Sequence, residues 1–431
     1  MQAFVRRAGY FVLDRLTGGL VMNHLRDLEQ WATGHDNYRN EVGRRRLQSL
    51  LHHAVDTVPY YTDLKNGELE LRRFPVVRKS DISKDYARFL SMSHERGNLI
   101  PVTTSGSYGT PFTFLLTRQK KARQTAEVIW FSRWVGYRIG DRHAYVRVTK
   151  KKSPRTLWLQ NEVLMDPTSL GESWLEAQRQ ELLKRSIRFL IGYPSAISTL
   201  AAYCEQKGNS SSDFGVEGIV TSAEPLRLES RKLVKRVFGA PVLSRYSSEE
   251  TGVLAHECSQ CEIHHLNTAS YFFEVLKLQE DSPAEPGELG RIVVTDLFSH
   301  AMPIIRYEIG DLGVLGAEPC SCGSQLPVLV ELHGRTVEQI LDVNQQRVSP
   351  FAINGAFRDL LRVQQFQFIQ VGKGQYQVLL VALPNFQEEH VIRTRLNEIL
   401  GSDAKIDILL VDEIPALPSG KRPYILNRMS D

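Results

Sequence analysis

Nowhere in its 431 residues does the chain hold an uninterrupted apolar run near the ~18–20 residues that a membrane-spanning helix requires. The N-terminal stretch GYFVLDRLTGGLVM is broken by Asp14 and Arg15, and reads as an amphipathic helix packed on its own domain. Cysteine is scarce and odd in number, five in all, with no secretion signal in the sequence. This argues against a disulfide framework, points to the cytoplasm and turns attention to metal ligation. An excess of one charge is missing too: 53 basic against 49 acidic residues leave +4, which gives no case for a nucleic-acid partner. Internal repeats and long low-complexity tracts are absent as well. Finally, VTTSGSYGTPFTF, residues 102–114, is rich in hydroxyls and glycine but has Thr110 where a Walker phosphate loop ends in lysine, so that loop is excluded.

What is present is an ordinary globular composition, 42% hydrophobic and 24% charged, in a chain longer than the roughly 250–300 residues at which one core stops growing. At least two domains follow. Residues 20–95 read as helical, with Ser80 and Asp81 as caps. Helices and strands then alternate (TAEVIWFSRWVGYRIG, RHAYVRV, VEGIVTSAEPL, LESRKLVKRVFG), which predicts a layered α/β domain with a largely parallel sheet. Beyond HGRT the pattern predicts a small α+β unit: an exposed hairpin around Gly-Lys-Gly, a charged helix and a last strand, KIDILLV. The boundary is placed at Gly334 and Arg335, giving domains 1–334 and 335–431.

Several short motifs carry chemistry. Backbone amides and hydroxyls of TTSGSYGTP suit phosphate oxygens, although a polar turn is the plainer account. In SRYSSEETG, either Glu249 or Glu250 offers a magnesium ligand, against two acids merely opening a helix. Asp311, between glycines in RYEIGDLG, offers a carboxylate to ribose hydroxyls, or simply makes a turn. LPSGKRPYI presents Lys421. HECSQCEIHHLN and PCSCGS bring Cys258, Cys261, Cys320 and Cys322, whose spacings suit a closed zinc site, with His256, His264 and His265 nearby. The basic run RHAYVRVTKKKSPR is a solvated loop after a strand or a landing place for the phosphates of an anionic ligand or for an acidic carrier protein, and its His143 reads as a surface histidine rather than a catalytic base.

In this order the motifs resemble the adenylate-forming superfamily of acyl-CoA synthetases, luciferases and peptide-synthetase adenylation domains. VPYYTDL, FPVVRKSDI, IGYPSAISTLA, VTSAEPL and MPIIRYEIGDL look most like phenylacetate-CoA ligase and its CapK relatives. The resemblance implies a large N-terminal domain, a small C-terminal domain that swings, and activation of a small carboxylic acid by ATP and Mg2+. Acyl transfer to coenzyme A would follow, with an amine, a hydroxyl or a carrier-protein thiol as the alternative acceptor. It assigns Lys421 to the reacting anions and Glu250 to magnesium. Pyrophosphate falls to Thr104, Ser105, Gly106, Ser107 and Gly109, and ribose to Asp311. Tyr246 lies against adenine beside Ser247 and Ser248, with the Ala223-Glu224-Pro225 turn on the adenine side, Arg335 by the ribose and Arg347 by the phosphates. It adds a Cys–His pair, Cys258 with His265, to the paired cysteines, leaving Cys261 and His265 as alternative fourth zinc ligands. Zinc would then brace the segment that holds magnesium. Pocket walls are sought among Trp130, Trp134, Tyr145 and Tyr193. Thr110, Glu249 and Val337 depart from the family pattern, which keeps open a nucleotide-binding scaffold without activity. Whether the chain forms a homodimer is also left open.

Overall fold

The computed structural model describes residues 2–103, 112–148, 152–335, 340–348, 350–357, 360, 362–416 and 422–429. Mixed α/β architecture is arranged in two compact units: residues 1–141, 159–161 and 243–332, and residues 142–158, 162–242 and 333–431. Among the described residues no helix is long and apolar enough to cross a membrane.

In the first unit, strands run side by side in the order Tyr271–Leu276, Leu289–Asp296, Tyr307–Leu315, Val328–Arg335, His264–Leu266, Gly252–Glu257 and Val242–Ser248. The pairings with recorded registers are antiparallel. The largely parallel sheet expected from alternation is therefore not found here; short loops such as 249–251 can only return the chain antiparallel. RIVVTD is buried along nearly its whole length because both faces of its strand are covered. Its Ile292 and Val294 share a core with Leu50, Leu51, Phe114 and Tyr307. At Lys79–Lys84 Asp81 caps as expected, accepting from the Arg78 N–H at 2.9 Å, but Ser80 lies inside the helix. The N-terminal helix, Gln2–Leu16, buries no residue fully.

The second unit holds the parallel strands. Glu162–Met165, His143–Val146, Phe189–Gly192 and Gly218–Ser222 pair in that order, all parallel. Gly192 is required: a Cβ there would sit 2.1 Å from the Val146 carbonyl oxygen. Pro194 then opens the helix Pro194–Gln206, where its missing N–H costs nothing. Leu228–Phe238 buries Val234, Val237 and Phe238 and stops at Gly239 with φ +68°, as its pattern predicts.

The C-terminal portion of this unit builds a four-stranded sheet, Lys405–Leu410, Gln375–Ala382, Val363–Gly372 and Ile425–Asn427. The hairpin read as exposed supplies the two central strands instead, and its alternating polar residues Gln365, Gln367 and Gln370 are buried with the apolar ones. Two of the three amides, Gln367 and Gln370, pair with backbone groups. Gln370 both accepts from the Leu341 N–H at 2.9 Å and donates to its carbonyl at 3.0 Å, while Gln367 donates to Pro423 O and Gln365 to Thr199 Oγ1.

Candidate active site and metal centre

Strands Val242–Ser248 and Gly252–Glu257 form a hairpin whose turn carries Glu249 and Glu250. The two acids therefore do not open a helix. Glu249 is exposed and Glu250 is buried, with the Tyr307 hydroxyl 3.5 Å from its Oε1. Glu250 is buried with the Tyr307 hydroxyl as its side-chain neighbour, and a carboxylate in such a place suits a divalent ion. Tyr246 donates to Asp311 Oδ2 at 2.6 Å, joining two of the sequence-derived candidates. Asp311 lies inside the strand Tyr307–Leu315 rather than in a turn, next to Gly310 with φ +90°. Ser248 is spent on the hairpin itself, its Oγ 2.8 Å from Thr251 Oγ1 and accepting from the Thr251 N–H. Ser247 precedes it on the same strand.

A polar platform that the sequence did not disclose underlies this hairpin. Lys120, Arg123, Gln124 and Glu127 are buried side chains of the helix Arg118–Ser132. Gln124 donates to the carbonyls of Glu249 and Glu250, and Glu127 accepts from the Val253 N–H at 3.1 Å. Gly252, φ +113°, permits that approach, since a Cβ would stand 2.5 Å from Glu127 Oε2. Lys120 pairs with Asp296 at 2.5 Å, both fully buried. Arg123 reaches Asp27 at 2.5 Å and Ser270 Oγ at 2.8 Å. Burial pushes the Glu127 and Asp296 carboxyls above the usual range, against the pull of Lys120. Lys120→Met strands the Asp296 carboxylate and is expected to cost about 3–5 kcal/mol, read from urea unfolding. A loss within experimental error would show that the pair contributes nothing.

His24 stands beside this network, its ring 5.5 Å from Phe298. Burial and the Arg123 charge lower its pKa to about 4. Because the unfolded imidazole takes its proton near 6.5, the unfolded chain binds more protons between those values, and stability falls as pH drops from 6.5 toward 4. His24→Asn is expected to flatten that part of the stability profile; an unchanged slope would assign the acid sensitivity elsewhere.

Cys258, His265, Cys320 and Cys322 bring their ligand atoms within 4.8 Å of one another. Cys258 directly follows the strand Gly252–Glu257, His265 sits in His264–Leu266, and the other two lie in a turn closed by Gly323, φ +85°. The Cys258 and Cys320 sulfurs are 3.8 Å apart, and Cys322 Sγ is 3.5 Å from His265 Nε2. Cys261 is outside this group; its thiol meets Ser321 Oγ at 2.9 Å, while its backbone N–H points at Cys258 Sγ, 3.3 Å away. Burial would raise the Cys258 pKa, but the backbone N–H groups of Cys261, Gln260 and Ile263 and the Cys320 thiol outweigh it and lower the value. Burial also pushes Cys320 up to about 12 and keeps His265 neutral. Three sulfurs and one neutral imidazole in a closed group are the donor set of a structural zinc. Trp134 packs edge-on against His256 and His265, and so walls this cluster rather than a substrate pocket.

In the second unit, Ala223 takes φ +72° and turns Glu224 inward. Burial raises the Glu224 carboxyl above the usual range, opposed by the N–H groups of Arg422, at 2.9 Å, and Ser195, at 3.2 Å. Pro225 follows outside any strand or helix. Arg147 lies over the Tyr193 ring and 3.3 Å from the Tyr145 hydroxyl. His143 is buried, not on the surface, with Nε2 3.4 Å from Glu162, which also binds Lys152. Arg142 pairs with Glu181. Much of the basic run is thus committed internally. Thr104, Ser105, Gly106, Ser107, Gly109, Thr110, Val337 and Lys421 lie outside the described residues, as do the side chains of Arg335 and Arg347.

Residues 340–428 match the family model of the CapK C-terminal domain. The chain is 24% identical to Protein CapK of Staphylococcus aureus, across 90% of this chain and 89% of that protein. It is 26% identical to a phenylacetate-coenzyme A ligase of Thermus thermophilus over 69% and 70% of the two chains. Among solved structures, 2-hydroxyisobutyryl-CoA ligase in the postadenylation state superposes with TM-score 0.74 at 16% identity, covering 93% of this chain and 91% of that one. ATP-bound MatB from Rhodopseudomonas palustris superposes with TM-score 0.55 at 14% identity over 77% and 67%. Along most of its length the chain is similar to CapK and to the phenylacetate-coenzyme A ligases, its residues 340–428 match the CapK C-terminal domain, and its fold is that of the acyl-CoA ligases.

Proposed function

We propose that the protein is an ATP-dependent ligase that joins a small carboxylic acid to AMP and then passes the acyl group to coenzyme A. In the first step a carboxylate oxygen attacks the α-phosphorus of ATP and the bond to the β-phosphate oxygen breaks, releasing pyrophosphate. In the second, the thiolate attacks the acyl carbon and AMP leaves. The observation that carries this reading is the Tyr246–Asp311 hydrogen bond beside the buried Glu250 turn, on a chain homologous to phenylacetate-CoA ligases.

Tyr246 offers a ring to adenine while its hydroxyl donates to Asp311, the carboxylate that would take the ribose hydroxyls. Glu250, rather than the exposed Glu249, would hold magnesium, which neutralises phosphate charge when bound. Ser247 backs this strand, and Thr104, Ser105, Gly106, Ser107 and Gly109 cradle the departing pyrophosphate through hydroxyls and amides. Lys421 meets the charge developing on the α-phosphate, with Arg335 at the ribose side and Arg347 at the phosphates. Residues 335–431 act as a domain that moves between the two steps; the separate core around Phe357, Phe366 and Leu396 supports this. Zinc on Cys258, His265, Cys320 and Cys322 would be structural.

Carboxylate-dependent exchange of labelled pyrophosphate into ATP, over a panel of aryl and alkyl acids, tests the first step, and coenzyme A thioester formation tests the second. Failure of every acid in the panel to support exchange, with ATP still bound, would replace the enzyme by a nucleotide-binding scaffold. Exchange without thioester would move the acceptor to an amine, hydroxyl or carrier-protein thiol.

A further inference from the structure

Arg422, in the C-terminal portion of the chain, is anchored through all three guanidinium nitrogens. It is only 3% exposed, and its guanidinium is fully engaged: Nε donates to Ile414 O at 2.8 Å, Nη1 to Pro167 O at 3.2 Å and Nη2 to Glu413 Oε1 at 2.6 Å. The same Glu413 oxygen accepts from the Leu170 N–H at 3.1 Å. Arg422 also donates its backbone N–H to Glu224 Oε1 at 2.9 Å, while Glu224 Oε2 accepts from the Ser195 N–H. One arginine thus ties residues 413–414 to the loop at 167–170 and to the turn at 223–225. These bonds are mostly buried and charge-assisted, the kind that fixes geometry most strongly.

The amide that Glu224 holds is the one joining Lys421 to Arg422. Anchoring it restricts where the lysine can project, because only the torsions of residue 421 separate the fixed nitrogen from the side chain. We propose that Arg422, clamped by Glu224, Glu413 and the Pro167 carbonyl, is a positioning residue that presents Lys421 for acyl-adenylate formation. The proposal rests on the ligase reading above. It differs from a merely stabilising role in one respect: the clamp matters for the step that uses Lys421 and not for the later transfer. Lysine at 422 is a poor substitute, since a point charge cannot supply three divergent donors.

The test uses the full-length protein and compares two half-reactions. Arg422→Ala is expected to lower the maximal rate of pyrophosphate exchange by about 10- to 100-fold, the cost of slight misplacement, with KM for ATP and acid within about threefold. Consumption of synthetic acyl-adenylate with coenzyme A should stay near the wild-type rate. Arg422→Lys should recover part of the exchange rate. Glu413→Gln, which keeps an acceptor oxygen, should lower exchange less and guards against an Arg422→Ala protein that does not fold. Hydrogen exchange of the Arg422 amide should be slow in wild type and fast in Arg422→Ala. Equal loss in both half-reactions, or an unaffected exchange rate in all three variants, overturns the positioning role. An inactive wild type across the acid panel overturns the ligase reading, and the role of Arg422 falls with it.

Discussion

Lys421→Ala is expected to lower carboxylate-dependent pyrophosphate exchange by about 10²- to 10³-fold, the effect of removing one group aimed at developing charge. Adenylation brings a carboxylate against a triphosphate, two anions that repel until a cation stands between them. Lysine supplies that charge at a compact, movable tip. Arg422 next to it cannot take over, because its guanidinium is buried and committed to Ile414, Pro167 and Glu413. ATP affinity should change by less than about threefold, since the lost contact belongs to the transition state rather than to the ground state. Isothermal titration with ATP and labelled pyrophosphate exchange measure the two separately. Exchange that persists within about threefold of wild type would remove Lys421 from the chemistry.

The elements that could be read from sequence were those whose local pattern and tertiary role agree. Leu228–Phe238 has an apolar face and a glycine stop, and the structure needs both. Agreement failed where long-range packing reverses a local preference. Helix Arg118–Ser132 turns Lys120, Arg123 and Glu127 inward because Asp296, Asp27 and Val253 lie within reach there, and none of these is near in sequence. Gln365 and Gln367 alternate with apolar residues like a solvated strand face, yet Thr199 and Pro423 supply partners for them in the interior. His143 looks like a member of a basic surface run until Glu162 pairs with it from the neighbouring strand. The candidate site was legible as residue types in order, but not as geometry. RYEIGDLG belongs to a stretch whose pattern is β-rich, but its two glycines suggest a turn at Asp311, and nothing in it shows that the Tyr246 hydroxyl reaches that carboxylate. Arg422 left a weaker signal, its place beside Lys421, with nothing local to suggest that its side chain would be buried.

Zinc content should fall from about one per chain to none in Cys320→Ser, as expected when a four-ligand closed site loses one thiolate. The unfolding midpoint should drop with it, by about 10 °C if the site contributes several kcal/mol, at a few degrees per kcal/mol. The physical reason is crowding. Four ligand atoms within 4.8 Å leave buried thiols and a neutral imidazole facing one another, and Cys320 is already pushed up to about 12 by that burial and its neighbours. A divalent ion turns the crowding into bonding. Bracing of Glu250 by this metal is indirect: Cys258 lies six residues beyond Gly252, about 20 Å along the strand at ~3.3 Å per residue. Nearer support comes from Gln124 and Glu127. Exchange activity per folded molecule should therefore survive zinc loss at 20 °C while heat resistance does not. A Cys320→Ser protein as stable as wild type, or a wild-type protein that binds no zinc, would make the four residues an ordinary reduced cluster. Activity lost in step with zinc, in a protein still folded, would instead show that the strand carries the metal's influence all the way to the Glu250 turn.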